Sequence, residues 1–154
     1  MQIRTIRQSD RAQLETIVHH AGNFTPEEIE TAMELIDESI ESPDEYETFV
    51  LEDEQGIRGY VCIGPTPLTD GVYDLYWIVV DATARGRRYG QKLLRHAEEE
   101  VKRRNGRMLL IETSSQPSYD STNRFYINAG YPEVARIRNF YKKGDDKIVY
   151  AKEF

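Results

Sequence analysis

Cysteine is almost missing from this chain. Cys62 is the only one in 154 residues, so no internal disulfide can close and no cysteine-based zinc site can be assembled. Histidine is nearly as scarce: His19 and His20 adjoin near a helix end and His96 falls mid-helix, a spacing that gives no metal triad, so no metal is expected. No apolar run approaches the ~20 residues that cross a bilayer, and the opening MQIRTIRQSD lacks the apolar core of a secretion signal. A cytoplasmic protein without a membrane partner is the expectation. Repeats, low-complexity tracts and Pro/Gly/Ser-rich linkers are absent as well, which leaves residues 1–154 as one domain.

Positive charge is missing from a long stretch. Between Pro26 and Glu54 there are many acids and no Lys or Arg, whereas Arg85 to Arg107 is dominated by basic residues. Each segment alone reads as a solvated helix face; together they suggest an anion-attracting pole and a cation-attracting pole. The net charge of -7 and the lack of an interleaved aromatic and basic face argue against a nucleic-acid partner.

What is present alternates cleanly between helical and strand periodicity. MQIRTIR reads as a strand, and Asp10 with Gln13 as the cap of a helix whose apolar positions Leu14, Ile17, Val18 and Ala21 run to Gly22. Thr25 and Glu28 form a capping box with Pro26 at the first helical position; Ile29, Met33, Ile36 and Ile40 share a face that stops before Pro43. YETFVLED and IRGYVCIG read as a hairpin turning near Gln55-Gly56, and GVYDLYWIVVD as a longer aromatic strand. A helix burying Leu93, Leu94, Ala97 and Val101 separates that strand from RMLLIETSS. This strand-loop-helix-strand unit predicts a parallel pair of strands. A short helix over 121–129 and a final hairpin of EVARIRNFY and KIVYAKEF around Gly144 and Asp145 complete the chain.

The loop inside that unit, in WIVVDATARGRRYGQKLL, carries three arginines and two glycines where a turn needs only one glycine. A helix N-terminus presents unpartnered N–H groups and a favourable dipole to an anion. Gly86 and Gly90 let the main chain approach a ligand, and Arg85, Arg87 and Arg88 supply charged donors, so a diphosphate is the natural guest. The loop lacks the Gly-Lys-Ser/Thr ending of a P-loop and the three glycines of a dinucleotide fingerprint. A loose basic surface is the competing reading of the loop alone.

At these residues the chain resembles the GNAT superfamily of acetyl-CoA-dependent N-acetyltransferases. Val80, Arg85, Gly86, Gly90, Leu93 and Leu94 fall in register with that family's strand-loop-helix motif, with Arg88 standing where a first glycine is usual. Downstream, NRFYINAGY is similar to the family's FYxxxGF element through Phe125, Tyr126, Gly130 and Tyr131, while Tyr119 occupies a position that is often asparagine. The resemblance implies an α/β fold of mixed type: a mostly antiparallel twisted sheet of about seven strands, a parallel β4-β5 pair at a V-shaped opening, and about four flanking helices. It also implies acetyl-CoA as co-substrate, held by 85–91 (Arg85, Gly86, Arg87, Arg88, Tyr89, Gly90 and Gln91), and a strand bulge that aims an N–H at the thioester from Ile78, Val79 or Val80, with Val80 preferred.

Acetyl transfer needs a neutral amine, a stabilised oxyanion and a protonated leaving thiol. By resemblance Tyr126 protonates the thiolate. The family lends no fixed base; Asp74 and Glu112 are the candidates, because each sits in an otherwise apolar or aromatic strand, though either could simply point outward. Tyr73 and Tyr76 are candidates for the acceptor pocket or for core packing. The function expected is direct attack by a primary amine of a small molecule or peptide, cationic if the acidic helix and following strand flank the entrance, in a monomer or homodimer. A non-catalytic acyl-CoA-binding sensor or partner subunit is the alternative.

Overall fold

A computed structural model describes all residues 1–154. Strand β1 (Gln2–Thr5) leads through a short 3-10 turn into α1 (Arg11–His20) and then α2 (Pro26–Glu41). The Thr25-Glu28 capping box is formed reciprocally, with Glu28 N–H donating to Thr25 Oγ1 and Thr25 N–H to Glu28 Oε1. Asp10 does something other than cap α1. Its carboxylate is buried and receives both terminal nitrogens of Arg4 at 2.8 and 3.0 Å and the Arg7 N–H at 2.7 Å. A carboxylate taken out of water is held better by a guanidinium fork than by one helix N–H. Gln13 is likewise used at long range, its Oε1 accepting from the Ile57 N–H at 3.0 Å.

The rest of the chain forms β2 (Glu47–Asp53), β3 (Gly56–Pro65), β4 (Val72–Val80), α3 (Tyr89–Arg103), β5 (Met108–Ser114), α4 (Asp120–Asn128), β6 (Glu133–Lys142) and β7 (Asp145–Glu153). One sheet of order β1-β2-β3-β4-β5-β7-β6 contains them all, antiparallel except for β4 beside β5. The last strand inserts between β5 and β6, which leaves β6 at the edge with every residue exposed.

Alternation along the strands sends apolar side chains to both faces. Leu51, Val61, Leu75, Leu109 and Ile111 pack beneath Leu93, Leu94, Ala97 and Val101 of α3. Val50, Tyr60 and Val79 face Leu14, Val18, Met33 and Ile36 of α1 and α2 on the opposite side.

The sheet splits at one place. β4 and β5 pair only from Val72 with Met108 to Leu75 with Ile111. Immediately after Leu75 the β3–β4 register shifts: Cys62 faces Trp77 and Ile63 faces Leu75, so Tyr76 is the extra residue of a bulge. A bulge bends its strand and increases the local twist. Past Tyr76, β4 therefore follows β3 while β5 follows β7, and a cleft opens between Trp77–Val80 and Glu112–Ser114.

Candidate active site

The floor of the cleft is set by backbone direction. The Asp81 N–H donates to the Arg58 carbonyl of β3 at 2.8 Å. Successive residues of an antiparallel strand point their polar groups to alternate sides, so Val79 and Trp77 also turn their N–H groups to β3, while Ile78 and Val80 turn theirs into the cleft. Of the three expected donors, Val79 is thus committed to the sheet and Ile78 and Val80 are free.

At the carboxyl end of β4 the chain makes a 3-10 turn and then the loop that begins α3. Asp81 starts the turn by accepting the Thr83 N–H at 3.0 Å. Every backbone N–H from Arg87 through Gln91 lacks a protein acceptor, and the helix dipole adds positive potential at the same spot. Gly86 has φ +82°, a conformation that suits glycine. Arg88 has φ +60° without being one, at a cost of about 1 kcal/mol. The residue that departs from the resemblance nonetheless adopts a backbone conformation that glycine favours. A side chain added at Gly90 would meet the Phe125 ring at 3.5 Å, so α3 and α4 come close there.

The three arginines diverge. Arg85 donates to the carbonyl of Ala21, at the end of α1, at 2.8 Å and lines a groove of about 680 Å³. Arg87 turns behind the loop to Asp53 at 3.7 Å. Arg88 is exposed and unpaired. The Tyr89 ring is buried in the core with its hydroxyl on Asp53 at 2.9 Å, so only its N–H faces the loop's outer side. Gln91 lies further along α3 in a shallow groove against α4.

The Arg85 groove runs between the α1–α2 turn and α4, past Ile78, Val79 and Val80, and meets a second cavity of about 440 Å³ at Asn23, Phe24, Ile78 and Thr122. Tyr126 lines this second cavity. Its side chain is 3 % exposed, and its hydroxyl makes no hydrogen bond within the protein. Burial alone pushes its phenol well above the ordinary value, so the hydroxyl stays protonated. Glu112 also lines the cavity, half-exposed and paired with Lys147 Nζ at 3.0 Å.

Asp74 is placed differently: it lies one step back along the sheet, opposite Leu110, outside the cavity lining. Burial and the nearby Glu112 charge raise its carboxyl, and a bond of 2.8 Å from Thr66 Oγ1 opposes them. Tyr76 faces the cavity, its phenol pushed up to about 12 by burial and Asp74. Tyr73 packs against the α3-side core instead.

Four carboxylates, of Glu27, Glu28, Glu112 and Asp145, line the cavity, and no Lys or Arg does. Helix α2 supplies two of them as expected, but the following strand, β2, supplies none. The remainder come from β5 and β7. Asp145 is buried and hydrogen-bonded by Ser114 Oγ and Gln116 Nε2. Glu28 accepts the Tyr119 hydroxyl, and burial and that carboxylate together raise the Tyr119 phenol. Tyr141 closes the wall from β6, its phenol raised by burial and by Glu112, Asp145 and Glu28. Sequence reasoning used Glu28 as a cap and Asp145 as a turn; only their pairing across the fold reveals a second role. Asn123, also unforeseen, fixes α4 to the cleft, its amide donating to Ser114 O at 3.0 Å and accepting from Thr113 Oγ1 at 2.6 Å.

Comparison with known proteins places this arrangement in context. The family model described as an acetyltransferase (GNAT) domain matches residues 44–133. No curated protein sequence matches the chain. Among solved structures, a protein of Desulfovibrio desulfuricans assigned to the GNAT acetyltransferases is 38% identical with a TM-score of 0.93, over 99% of this chain and 98% of that one. An aminoglycoside N-acetyltransferase complexed with coenzyme A is 19% identical, TM-score 0.77, over 99% and 97%. A ribosomal-protein-alanine N-acetyltransferase from Brucella melitensis is 20% identical, TM-score 0.77, over the whole of both chains. The last two share the fold.

Proposed function

The chain belongs to the GNAT acetyltransferase family, and from that premise we propose that residues 1–154 act as one cytoplasmic catalytic domain moving an acetyl group from acetyl-CoA to a cationic primary amine by direct attack. The observation that carries this reading is continuity. Arg85 and Gly90, from the loop whose 87–91 N–H groups are unpartnered, line a groove that passes the free Ile78 and Val80 N–H groups and ends in an acidic cavity beside Tyr126.

Each part has a role. The loop N–H groups with Arg85 and Arg88 hold the diphosphate, so binding at a remote part of the co-substrate places the thioester in the cleft. Ile78 and Val80 donate to the thioester oxygen as it gains charge, with Val80 the preferred donor. The bound ammonium first gives one proton to a carboxylate, because only the neutral amine carries a lone pair; that lone pair forms the new C–N bond, the C–S bond breaks, and the second proton lost by nitrogen balances the one gained by sulfur. Glu112 lines the cavity and is better placed to take the first proton than Asp74, which lies outside that lining and would act only through an intervening group. Tyr126 offers its proton to the departing sulfur. A phenol raised above about 10 gives a full proton reluctantly to a thiolate near 8.5, but it donates a strong hydrogen bond to one.

The carboxylates of Glu27, Glu28, Glu112 and Asp145 favour a cationic acceptor, because one unit charge at ~4 Å contributes on the order of 1–4 kcal/mol between bulk-water and protein-surface screening. Thiol release from acetyl-CoA, measured against cationic, neutral and anionic amines of matched length, tests the reading. Turnover should be greatest with cations. Preference for anionic acceptors would defeat the acceptor assignment, and failure of every amine to elicit thiol release, alongside tight coenzyme A binding, would favour the non-catalytic alternative.

A further inference from the structure

The loop that would hold the diphosphate is braced from behind by one ionic cluster, and its centre is a residue of the distant β2–β3 hairpin. Asp53, at the end of β2, has a side chain 12% exposed. It accepts the Tyr89 hydroxyl at 2.9 Å, faces Arg87 at 3.7 Å and faces Arg58 Nε at 3.8 Å. Arg58, on β3, is itself buried and continues the cluster to Asp81 at 3.4 Å and Thr83 Oγ1 at 2.8 Å. Asp81 and Thr83 begin the 3-10 turn, Arg87 lies in the middle of the loop, and Tyr89 is the first residue of α3. The loop is thus tied at its start, middle and end to the same pair of hairpin residues.

Two consequences follow from charge and conformation. Asp53 and Asp81 balance Arg58 and Arg87, so the rear of the loop is neutral and its attraction for an anion is left to the outward N–H groups, Arg85 and Arg88. The loop also contains two left-handed residues, Gly86 and Arg88. A non-glycine residue persists in that conformation only where its surroundings over-determine it, and the ties at Thr83, Arg87 and Tyr89 supply that constraint.

We propose that Asp53 is a positioning residue for coenzyme A: it acts through Tyr89 and Arg87 to hold the 87–91 N–H groups in the arrangement that receives the diphosphate, and Arg87 is a strut of this frame rather than a phosphate ligand. The inference rests on the acetyl-CoA reading above and adds a residue outside the groove to it.

Calorimetric titration of coenzyme A into the full chain and its Asp53→Asn, Asp53→Glu and Tyr89→Phe variants tests it, together with kcat/KM for acetyl-CoA and for S-acetylpantetheine, which lacks the diphosphate. Asp53→Asn and Tyr89→Phe should each weaken coenzyme A binding about tenfold and lower the preference for acetyl-CoA over S-acetylpantetheine by a similar factor. Asp53→Glu, which keeps the charge, should retain more affinity than Asp53→Asn. Tyr89→Phe leaves every charge in place, so it remains informative if Asp53→Asn folds poorly. Unchanged or tighter binding in both Asp53→Asn and Tyr89→Phe overturns the proposal, as does equal loss with both thioesters, which marks general damage. If the wild-type chain itself takes up no coenzyme A, the acetyl-CoA reading fails and this proposal with it; wild-type binding with indifferent variants removes this proposal alone.

Discussion

Replacing Tyr126 by phenylalanine separates stability from chemistry at the one side chain where the fold makes them independent. The ring lies in the core beside Phe125, Tyr131 and Tyr150, and phenylalanine keeps those contacts. The hydroxyl has no partner inside the protein, so its loss breaks no hydrogen bond. A buried polar group without a partner costs about 1–3 kcal/mol, and this one touches a cavity, so the variant should unfold at the same denaturant concentration as wild type or at a slightly higher one. Turnover should respond in the opposite sense. General acid catalysis contributes about 10²–10⁴-fold; a thiolate near 8.5 can depart without a full proton, which places the loss at the low end, about 10²-fold or ~2.7 kcal/mol of barrier. The pH profile adds a sign. An acid works only while protonated, and burial raises the Tyr126 phenol above its ordinary value, so wild-type turnover should show no alkaline loss from this group below about pH 10. Stopped-time thiol release over a panel of amines, with urea unfolding of both proteins, makes the comparison. Retention of half the wild-type kcat/KM by Tyr126→Phe, or a loss matched by an equal loss of stability, would refute the acid assignment.

Three other expectations rest on separate parts of the structure. Gly90→Ala should fold normally, since its Cβ would meet Phe125 at an ordinary 3.5 Å, yet bind coenzyme A more weakly by about tenfold, or ~1.4 kcal/mol, because the methyl enters the groove; calorimetry and a melting curve read both. Asp10→Ala should cost about 1–3 kcal/mol at pH 7 by removing the acceptor of the Arg4 fork and of the Arg7 N–H, while Arg4 keeps its pair with Glu52 at 2.7 Å. Burial raises the Asp10 carboxyl, but the Arg4 fork and the Arg7 N–H outweigh it and hold it below the usual range; its contribution is therefore full above about pH 4 and lost as pH falls through the lowered value, so the gap between variant and wild type should close in acid melts. Asp74→Asn has the opposite sign: the folded carboxyl is raised, chiefly by burial, so the ionised form penalises the fold above that raised value and not below about pH 4, and the variant should match or exceed wild-type stability at pH 7 while showing no gain at pH 3.

The order of elements was readable because local signals agreed with one another. The Thr25-Glu28 box, the Gln55-Gly56 turn, the apolar stripe of α3 and the strand-loop-helix-strand unit each appear where their residues place them. Less legible were the residues whose partners lie far away in sequence. Asp10 precedes a helix and reads as a cap, but β1 brings Arg4 within reach and the stronger charged partner takes the carboxylate. The cleft was anticipated only through resemblance, since a bulge at Tyr76 leaves no mark in a run of aromatic and β-branched residues that suits any strand.

The acidic cavity shows most clearly why composition and pattern stop short. Its acidity arises from three separate parts of the chain, and the insertion of β7 between β5 and β6 is what unites them. Had β6 and β7 followed in simple succession, the end of β7 that carries Asp145 would lie at the sheet edge, away from Ser114 and Gln116. With β7 inside, Asp145 is buried at the cavity wall, Lys147 reaches Glu112, and Tyr141 on the outer strand leans over all of them. Since Lys147 offsets Glu112, the uncompensated charge lies with Glu27, Glu28 and Asp145, on the side of the cavity bounded by α2 and the start of β7. A cationic acceptor that engages this side presents its amine toward Ile78 and Tyr126 from the α2 face of the sheet, so neutralising Glu28 should raise the acceptor KM several-fold, with little effect on the KM for acetyl-CoA; an effect confined to kcat, or felt equally by neutral acceptors, would place the acceptor elsewhere.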